Sequence, residues 1–336
     1  MILLPNLQIY SRMKMLTLQS PAPISRLGRM TWLLDLTLFL VLVLLWVGLS
    51  LATPNFLTEE NITNLMRQVS FWAIIAIGQT FVMVTAGIDL SVGAVVGLSS
   101  VVVSMLIKSG MPISAAIVIT LLVGVVIGAF HGFCTTRLAL PPFITTLATL
   151  TSLRGFTLLI TRGEPVAGLP MDFTAFARGS FLGVPTLFWT VLVVAVPGYF
   201  LLHRSRWGRY LFAVGSNKEA VRLSGVNVNL VIYLAYIVSA VCAALVGILV
   251  ASRLSIGMAT TGEGWELQSI ASAVIGGASL FGAVGNIQGP IIGAALLTTL
   301  SQGANLLNID PFWQRIVTGI LIIAIVFLDQ MRRKGR

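Results

Sequence analysis

Charge is what this sequence has least of. Asp, Glu, Lys and Arg together make up 10% of its 336 residues, while apolar types make up 57%. A soluble domain of that length cannot solvate its surface with so few charges, which excludes a soluble globular protein. Cysteine is nearly absent: Cys134 and Cys242 both sit in apolar stretches, so neither a disulfide framework nor a Cys-based metal spacing exists. His131 and His203 are the only histidines, and neither has a partner at ligand spacing. No metal site and no catalytic residue is read from the chain. The four lysines, Lys14, Lys108, Lys218 and Lys334, follow Met, Ile, Asn and Arg, whereas a phosphate-cradling Walker loop needs Gly before its Lys. Nucleotide chemistry, if any drives this protein, belongs to another subunit.

What is abundant is uncharged apolar sequence in runs long enough to cross a hydrocarbon core of about 30 Å. Ten candidate segments emerge, at about 32–52, 65–86, 91–108, 113–134, 143–161, 186–203, 230–251, 268–283, 288–306 and 312–330. The expected fold is therefore all-α, a polytopic membrane helical bundle of about ten transmembrane segments. Segments three, five and eight are short or Gly-rich and are candidates for broken or re-entrant helices, which survive at membrane depth only when protein or a cavity covers them. Residues 1–31 form an amino-terminal arm, 32–330 the membrane domain with a polar loop at 204–229, and 331–336 a basic tail. Trp32–Ala52 is too long for a signal-peptide core and is read as a retained span, with Met13 and Met15 offering later starts.

With ten crossings both termini share a side. Assigning them to the cytoplasm places Arg12, Lys14, Arg26, Arg29, Arg137, Arg204, Arg206, Arg209, Lys218, Arg222, Arg332, Arg333, Lys334 and Arg336 there, 14 of the 21 basic residues. The outer side receives Glu59, Glu60, Glu164, Asp172, Glu263, Glu266 and Asp310, 7 of the 11 acids. This asymmetry follows the positive-inside rule and explains the net charge of +10 without nucleic acid as a partner. Ion-coupled carriage is the competing class, but deep charges are few. Asp35 and Asp329 lie near segment ends, Asp89 at a bend, and Arg154 alone lies well inside a run, a thin proton or sodium pathway. Leu90-Ser91-Val92-Gly93 recurs as Leu254-Ser255-Ile256-Gly257, and Pro142-Phe143 as Pro311-Phe312, a weak sign of an inverted repeat.

The loop at 204–229 is the most informative stretch. Ser216-Asn217-Lys218-Glu219 fits a capping box with Ser216 at the N-cap, and Gly225 supplies a left-handed stop. The predicted helix of about two turns cannot persist alone in water and must be covered on its Ala220, Val221 and Leu223 side. It packs either on the protein's own bundle or into a groove on a cytoplasmic ATPase, while its basic flanks also suit lipid headgroups.

Here a family resemblance emerges. Trp207-Gly208-Arg209-Tyr210, Ala213-Val214-Gly215-Ser216-Asn217, Glu219-Ala220 and Arg222-Leu223-Ser224-Gly225-Val226 resemble the coupling loop of ribose-type permeases, the membrane subunits of ATP-binding-cassette importers of monosaccharides. Gly78-Gln79-Thr80, Gly87-Ile88-Asp89-Leu90-Ser91-Val92-Gly93, Pro141-Pro142-Phe143-Ile144, Leu153-Arg154-Gly155, Gly264-Trp265-Glu266-Leu267, Ile275-Gly276-Gly277-Ala278-Ser279-Leu280, Gly285 and Gly289 resemble the same family in order and spacing. Gly215-Ser216-Asn217 departs from its usual Gly-Gly-Asn, and the arm has no counterpart in it. The resemblance implies a permease subunit for a monosaccharide or similar small polar solute, in a bacterial inner membrane. Implied partners are a cytoplasmic ATPase that uses ATP and Mg, an outer sugar-binding protein and a second permease subunit, identical or not.

Gly208, Gly215, Ser216, Asn217, Glu219, Ala220, Arg222, Leu223 and Gly225 are the candidate coupling residues. A sugar needs donors, acceptors and an aromatic face but no charge. Gln79, Thr80, Thr145, Thr146, Thr149, Gln268, Ser272, Gln302 and Asn305 are the polar candidates for its path. Gly87, Asp89, Gly93, Arg154, Gly276 and Gly277 are read as structural, with Asp89 a cap for segment three and Arg154 bound to a carbonyl or carboxylate. For Gly276, Gly277 and Gly282, backbone exposed to the path is the expectation; Gly124/Gly128 and Gly289/Gly293 are small-xxx-small packing pairs. Outer acids (Glu164, Asp172, Glu263, Glu266) and Arg162, Arg178 and Arg253 are docking candidates.

Overall fold

Each of the ten apolar segments holds a helix. The structure, a computed structural model, describes residues 24–334. Arg12, Met13, Lys14, Met15 and Arg336 lie outside the described residues, so the arm assigned to 1–31 enters only from Ile24. In chain order the long helices are α1 (Ile24–Ala52), α2 (Glu59–Val84), α3 (Val92–Lys108), α4 (Ile113–Thr136) and α5 (Pro142–Thr161). Then come a short α6 (Met171–Arg178), α7 (Thr186–Tyr199), α8 (Arg206–Ser216), α9 (Lys218–Leu223) and α10 (Val228–Leu254). A half-helix α11 (Trp265–Ile275), α12 (Gln288–Leu306) and α13 (Pro311–Lys334) complete the bundle. The described sheet is confined to two-residue pairs: β1 (Val166–Ala167) with β4 (Ile256–Gly257), and β2 (Ser180–Phe181) with β3 (Val184–Pro185), both antiparallel. Among the described residues, five helices are long and apolar enough to cross a membrane by length and composition alone: α2, α4, α5, α10, and α7 with its extension to Arg204.

Local chemistry sets the helix ends. Pro112, Pro141 and Pro185 each stand immediately before a helix, where the missing N–H costs no bond. Thr58 and Asn227 cap α2 and α10 by accepting from the N–H groups of Asn61 and Leu230. The centre is the antiparallel pair α2 and α10, both buried over most of their length. Glycines set their spacing to neighbours. A Cβ at Gly78 would stand 2.8 Å from Cys242 Cβ, and one at Gly128 of α4 would stand 2.5 Å from Ile237 Cα. Gly124 and Gly128 are thus packing positions within one subunit, seated on α10. Helices lacking a solvent-driven hydrophobic force between them associate through such close backbone approach.

Of the three candidates for broken helices, segment three runs unbroken as α3 and only segment eight breaks. Segment five is continuous, because α5 runs unbroken from Pro142 to Thr161. Segment eight ends eight residues early: α11 stops at Ile275, and residues 276–287 run as turns through left-handed Gly277, Gly282 and Ala283. Segment six continues beyond Pro197 into a single π-helical turn, Phe200–Arg204, the kind of local break that interior proline and π-bulges produce.

Candidate functional site

Between α7 and α10 the chain makes two helices rather than one. Ser205 caps α8, its Oγ accepting from the Gly208 N–H at 2.9 Å. The sequence reading missed α8, although Ser205 followed by a Trp, Leu and Val apolar face was its signal. Gly208 lets α8 fold back onto the π turn: a Cβ there would lie 2.0 Å from the Leu202 carbonyl oxygen. Trp207 stacks on Phe81 of α2 at 5.9 Å, and Leu211, Val214 and Val221 are buried in one core with Phe81, Tyr236 and Ile287.

Asn217, not Ser216, caps α9. Its backbone is extended (φ −157°, ψ 99°), and its Oδ1 accepts from the N–H groups of Glu219 at 3.1 Å and Ala220 at 3.0 Å. Ser216 cannot serve because its backbone is the last helical residue of α8. Nor does Glu219 reach back to complete a capping box. It turns forward to Arg222, accepting from Nε at 3.0 Å and Nη2 at 2.5 Å. The Arg222 guanidinium holds the Glu219 carboxyl below its ordinary value, and the carboxylate in turn raises Arg222. Gly225 ends the helix with φ +79°. One side of α9 packs on the protein's own bundle. Val221 faces the bundle, whereas Ala220 is exposed and Leu223 is 77% exposed. A shallow groove between α8 and α9 is lined by Tyr210, Ala213, Asn217, Ala220, Ser224 and Val226.

A second constellation lies inside the bundle. Asp89 is fully buried and does not cap α3. Its Oδ1 accepts from the N–H (2.9 Å) and O–H (2.6 Å) of Ser91, and its Oδ2 accepts from Ser239 of α10 at 2.9 Å. The turn stops one residue short of the free helical N–H groups, so the carboxylate ties α10 instead. Gln79 grips the Asp89 backbone, its amide nitrogen donating to the carbonyl and its oxygen accepting from the N–H, both at 3.2 Å. Thr146 donates to the Ile88 carbonyl at 3.3 Å. Gly87 fits beneath Tyr236, whose hydroxyl would lie 2.8 Å from a Cβ at residue 87. His131 and Tyr236 meet edge to face at 5.7 Å.

The remaining candidates are scattered. Thr80 and Thr149 donate to their own helices, at Ala76 and Thr145, and Ser272 donates to Gln268. Thr145 is buried. Gln302 donates to Asn61 Oδ1, and Asn305 accepts from Gln314, both at 2.7 Å. Asn61 stands 18 residues before Gln79 on α2, about 27 Å along the helix, so the nine polar candidates do not form one site. Gln268 does line a largely apolar cavity of about 260 Å³ with Leu45, Leu49, Leu297, Trp313 and Gln314. Arg154 donates through Nη1 to the carbonyls of Ala259 and Thr261, the latter at 3.0 Å. A Cβ at Gly93 would stand 2.2 Å from the Gly262 carbonyl oxygen, so Gly93 and Arg154 bind the same 259–262 turn.

Gly276 is not open to a path. Its Cβ would stand 2.1 Å from Gly289 carbonyl carbon, and a Cβ at Gly293 would stand 2.2 Å from the Ser272 carbonyl oxygen. The Gly289/Gly293 pair therefore seats α12 on α11. Gly282 is likewise pressed against backbone, and only Gly277 of these three faces open space. On the outer candidates, Arg178 donates to Ser255 Oγ at 2.6 Å and Arg253 lies over the Phe71 ring at 5.7 Å.

Comparison with known proteins places residues 61–326 in the family described as branched-chain amino acid transport system / permease component. The ribose import permease protein RbsC of Bacillus subtilis is 42% identical over 296 residues, 88% of this chain and 92% of that protein. The D-allose transport system permease protein AlsC of Escherichia coli is 39% identical over 299 residues, covering 89% and 92%. The autoinducer 2 import system permease protein LsrC of Photorhabdus laumondii is 32% identical over 295 residues, covering 88% and 89%. No solved structure matches.

Proposed function

The chain belongs to the branched-chain amino acid transport system / permease component family, alongside ribose import permeases, and from that membership we propose how it works. It is the multi-pass membrane subunit of an importer of a monosaccharide or similar small polar solute. A separate cytoplasmic ATPase of the ATP-binding-cassette class binds ATP and Mg, and α9 with the α8–α9 groove forms its seat. The observation that carries this is α9 itself. A six-residue helix is too short to persist unaided, yet it is capped by Asn217, ended by Gly225 and fixed by Val221, with Leu223 left outward.

In this reading the membrane is the bacterial inner membrane and both termini are cytoplasmic, as the basic-residue distribution supports. Two permease subunits enclose the path and an external sugar-binding protein delivers the solute. ATP binding draws the paired α9 helices together and opens the bundle outward; hydrolysis returns it inward. Differential contacts of the ATPase in its two states supply the free energy, so the chain itself needs no nucleotide site. The deciding experiment purifies the chain with an ATPase and a binding protein and measures ATP hydrolysis on adding ribose-loaded binding protein. Stimulation by the loaded form supports the reading. Absence of any ATPase association refutes it.

A further inference from the structure

Two of the places where the bundle's backbone leaves helical geometry meet at one point, and that point is the end of α8. The first break follows Val84, where Ala86 adopts φ +61° before the turn to Asp89. The second is the 276–287 stretch after the half-helix α11, where Gly282 and Ala283 adopt φ +86° and +61°. Ala283 donates its N–H to the Val84 carbonyl at 2.9 Å, joining the breaks directly. Gly215 of α8 lies against both: a Cβ there would stand 1.9 Å from the Val84 oxygen and 2.6 Å from the Ala283 nitrogen. A Cβ at Gly282 would stand 2.8 Å from the Gly215 oxygen and 2.9 Å from Ala86 Cβ. The far side of the 276–287 stretch is held by Asp329 of α13, which accepts from Ser279 Oγ and the Leu280 N–H, both at 3.1 Å.

We propose that Ala86, Gly215, Gly282 and Ala283 form a backbone joint through which displacement of α8 moves both broken segments together. The inference rests on the reading that an ATPase drives this chain through α8 and α9. Side chains at an interface absorb small displacements by changing rotamer, whereas backbone pressed on backbone has no such slack. One break leads within three residues to the Asp89–Gln79–Ser239 knot that ties α2 to α10. The other is the tether between α11 and α12. Motion delivered at Gly215 therefore reaches two helix pairs at once. Ala86 and Ala283 are positioning residues here: both sit at positive φ, where the basin open to a residue with a Cβ is small, so the joint has little angular freedom compared with glycine.

The test loosens the joint without crowding it. An Ala86→Gly, Ala283→Gly double variant relieves the left-handed strain, so its unfolding temperature stays level or rises, and its α8–α9 surface is untouched. In proteoliposomes holding the full complex, with ribose as the probe, ribose imported per ATP hydrolysed is expected to fall at least about fivefold, the lower range of ordinary coupling. Gly282→Ala, which crowds Ala86 and Gly215 at positive φ, is expected to lower the same ratio. A merely structural role moves stability and yield but leaves ribose per ATP of the assembled complex unchanged. A wild-type ratio in the double variant overturns the joint while leaving the ATP-driven reading standing, and it decides alone if Gly282→Ala fails to insert. A wild-type complex that takes up no ribose with ATP overturns both.

Discussion

Replacing Asn217 with Ala separates two accounts of how the coupling helix is held. The side-chain oxygen at residue 217 satisfies two free N–H groups, those of Glu219 and Ala220. Loss of such a cap costs about 1 kcal/mol, and on a helix of only six residues there is little else to hold the first turn. If α9 must be formed before it seats in the ATPase, that cost lowers the competent population about threefold for a half-formed helix and roughly fivefold for a mostly unformed one. Asn217→Asp retains an acceptor and places negative charge at a helix N-terminus, so it keeps near-normal function. Ser216→Ala touches no cap bond, and although Ser216 lines the α8–α9 groove, it is expected to weaken binding much less than Asn217→Ala. The assay is ATPase affinity of the purified permease in nanodiscs, measured across the three variants. Weakening by Ser216→Ala equal to that by Asn217→Ala, or no weakening by either, refutes the argument.

Gly208→Val places side-chain atoms where the Leu202 carbonyl lies 2.0 Å from a Cβ, and displacing backbone costs about 1–3 kcal/mol or more; α8 is expected to become protease-sensitive while the rest of the bundle inserts. Asp89→Ala strands the buried hydroxyl of Ser239, costing about 1–3 kcal/mol and lowering the unfolding temperature in detergent. Asp89→Asn, which keeps an acceptor at Oδ1, loses less. Glu219→Gln removes a charge partner of Arg222. Because the folded carboxyl is held below its ordinary value, the pair is intact above the ordinary carboxylate range and is lost only as pH falls through the depressed value. The deficit of Glu219→Gln in ATPase affinity is thus expected at neutral pH and vanishes in acid, where the wild type is protonated too.

The bundle was legible because hydropathy is a one-dimensional signal: an apolar run and its bounding prolines mark a helix whatever packs on it. That logic found α4, α5 and α10 within a few residues, started α2 six residues late, and located α11 while overrunning its end. The overrun has a physical cause, since Gly276 to Ala283 are small or apolar enough to read as helix, and only backbone contact with Gly215 and Gly289 shows why they turn. The cap was misplaced by one residue because Ser and Asn both cap well, and the choice depends on where α8 stops. Asp89 was legible as a polar anchor, but its partner on α10 lies 150 residues away and no local pattern names it. The polar path candidates illustrate the same limit. Thr80, Thr149 and Ser272 satisfy their own helices, as hydroxyls in apolar spans commonly do.

The most direct measurement of the central claim is ribose accumulation by proteoliposomes carrying this chain, its ATPase and loaded binding protein, with ion gradients collapsed. Accumulation that starts on supplying ATP to the ATPase side, and is absent without it, is the predicted result. Accumulation driven by a proton or sodium gradient in vesicles lacking the ATPase would contradict the account.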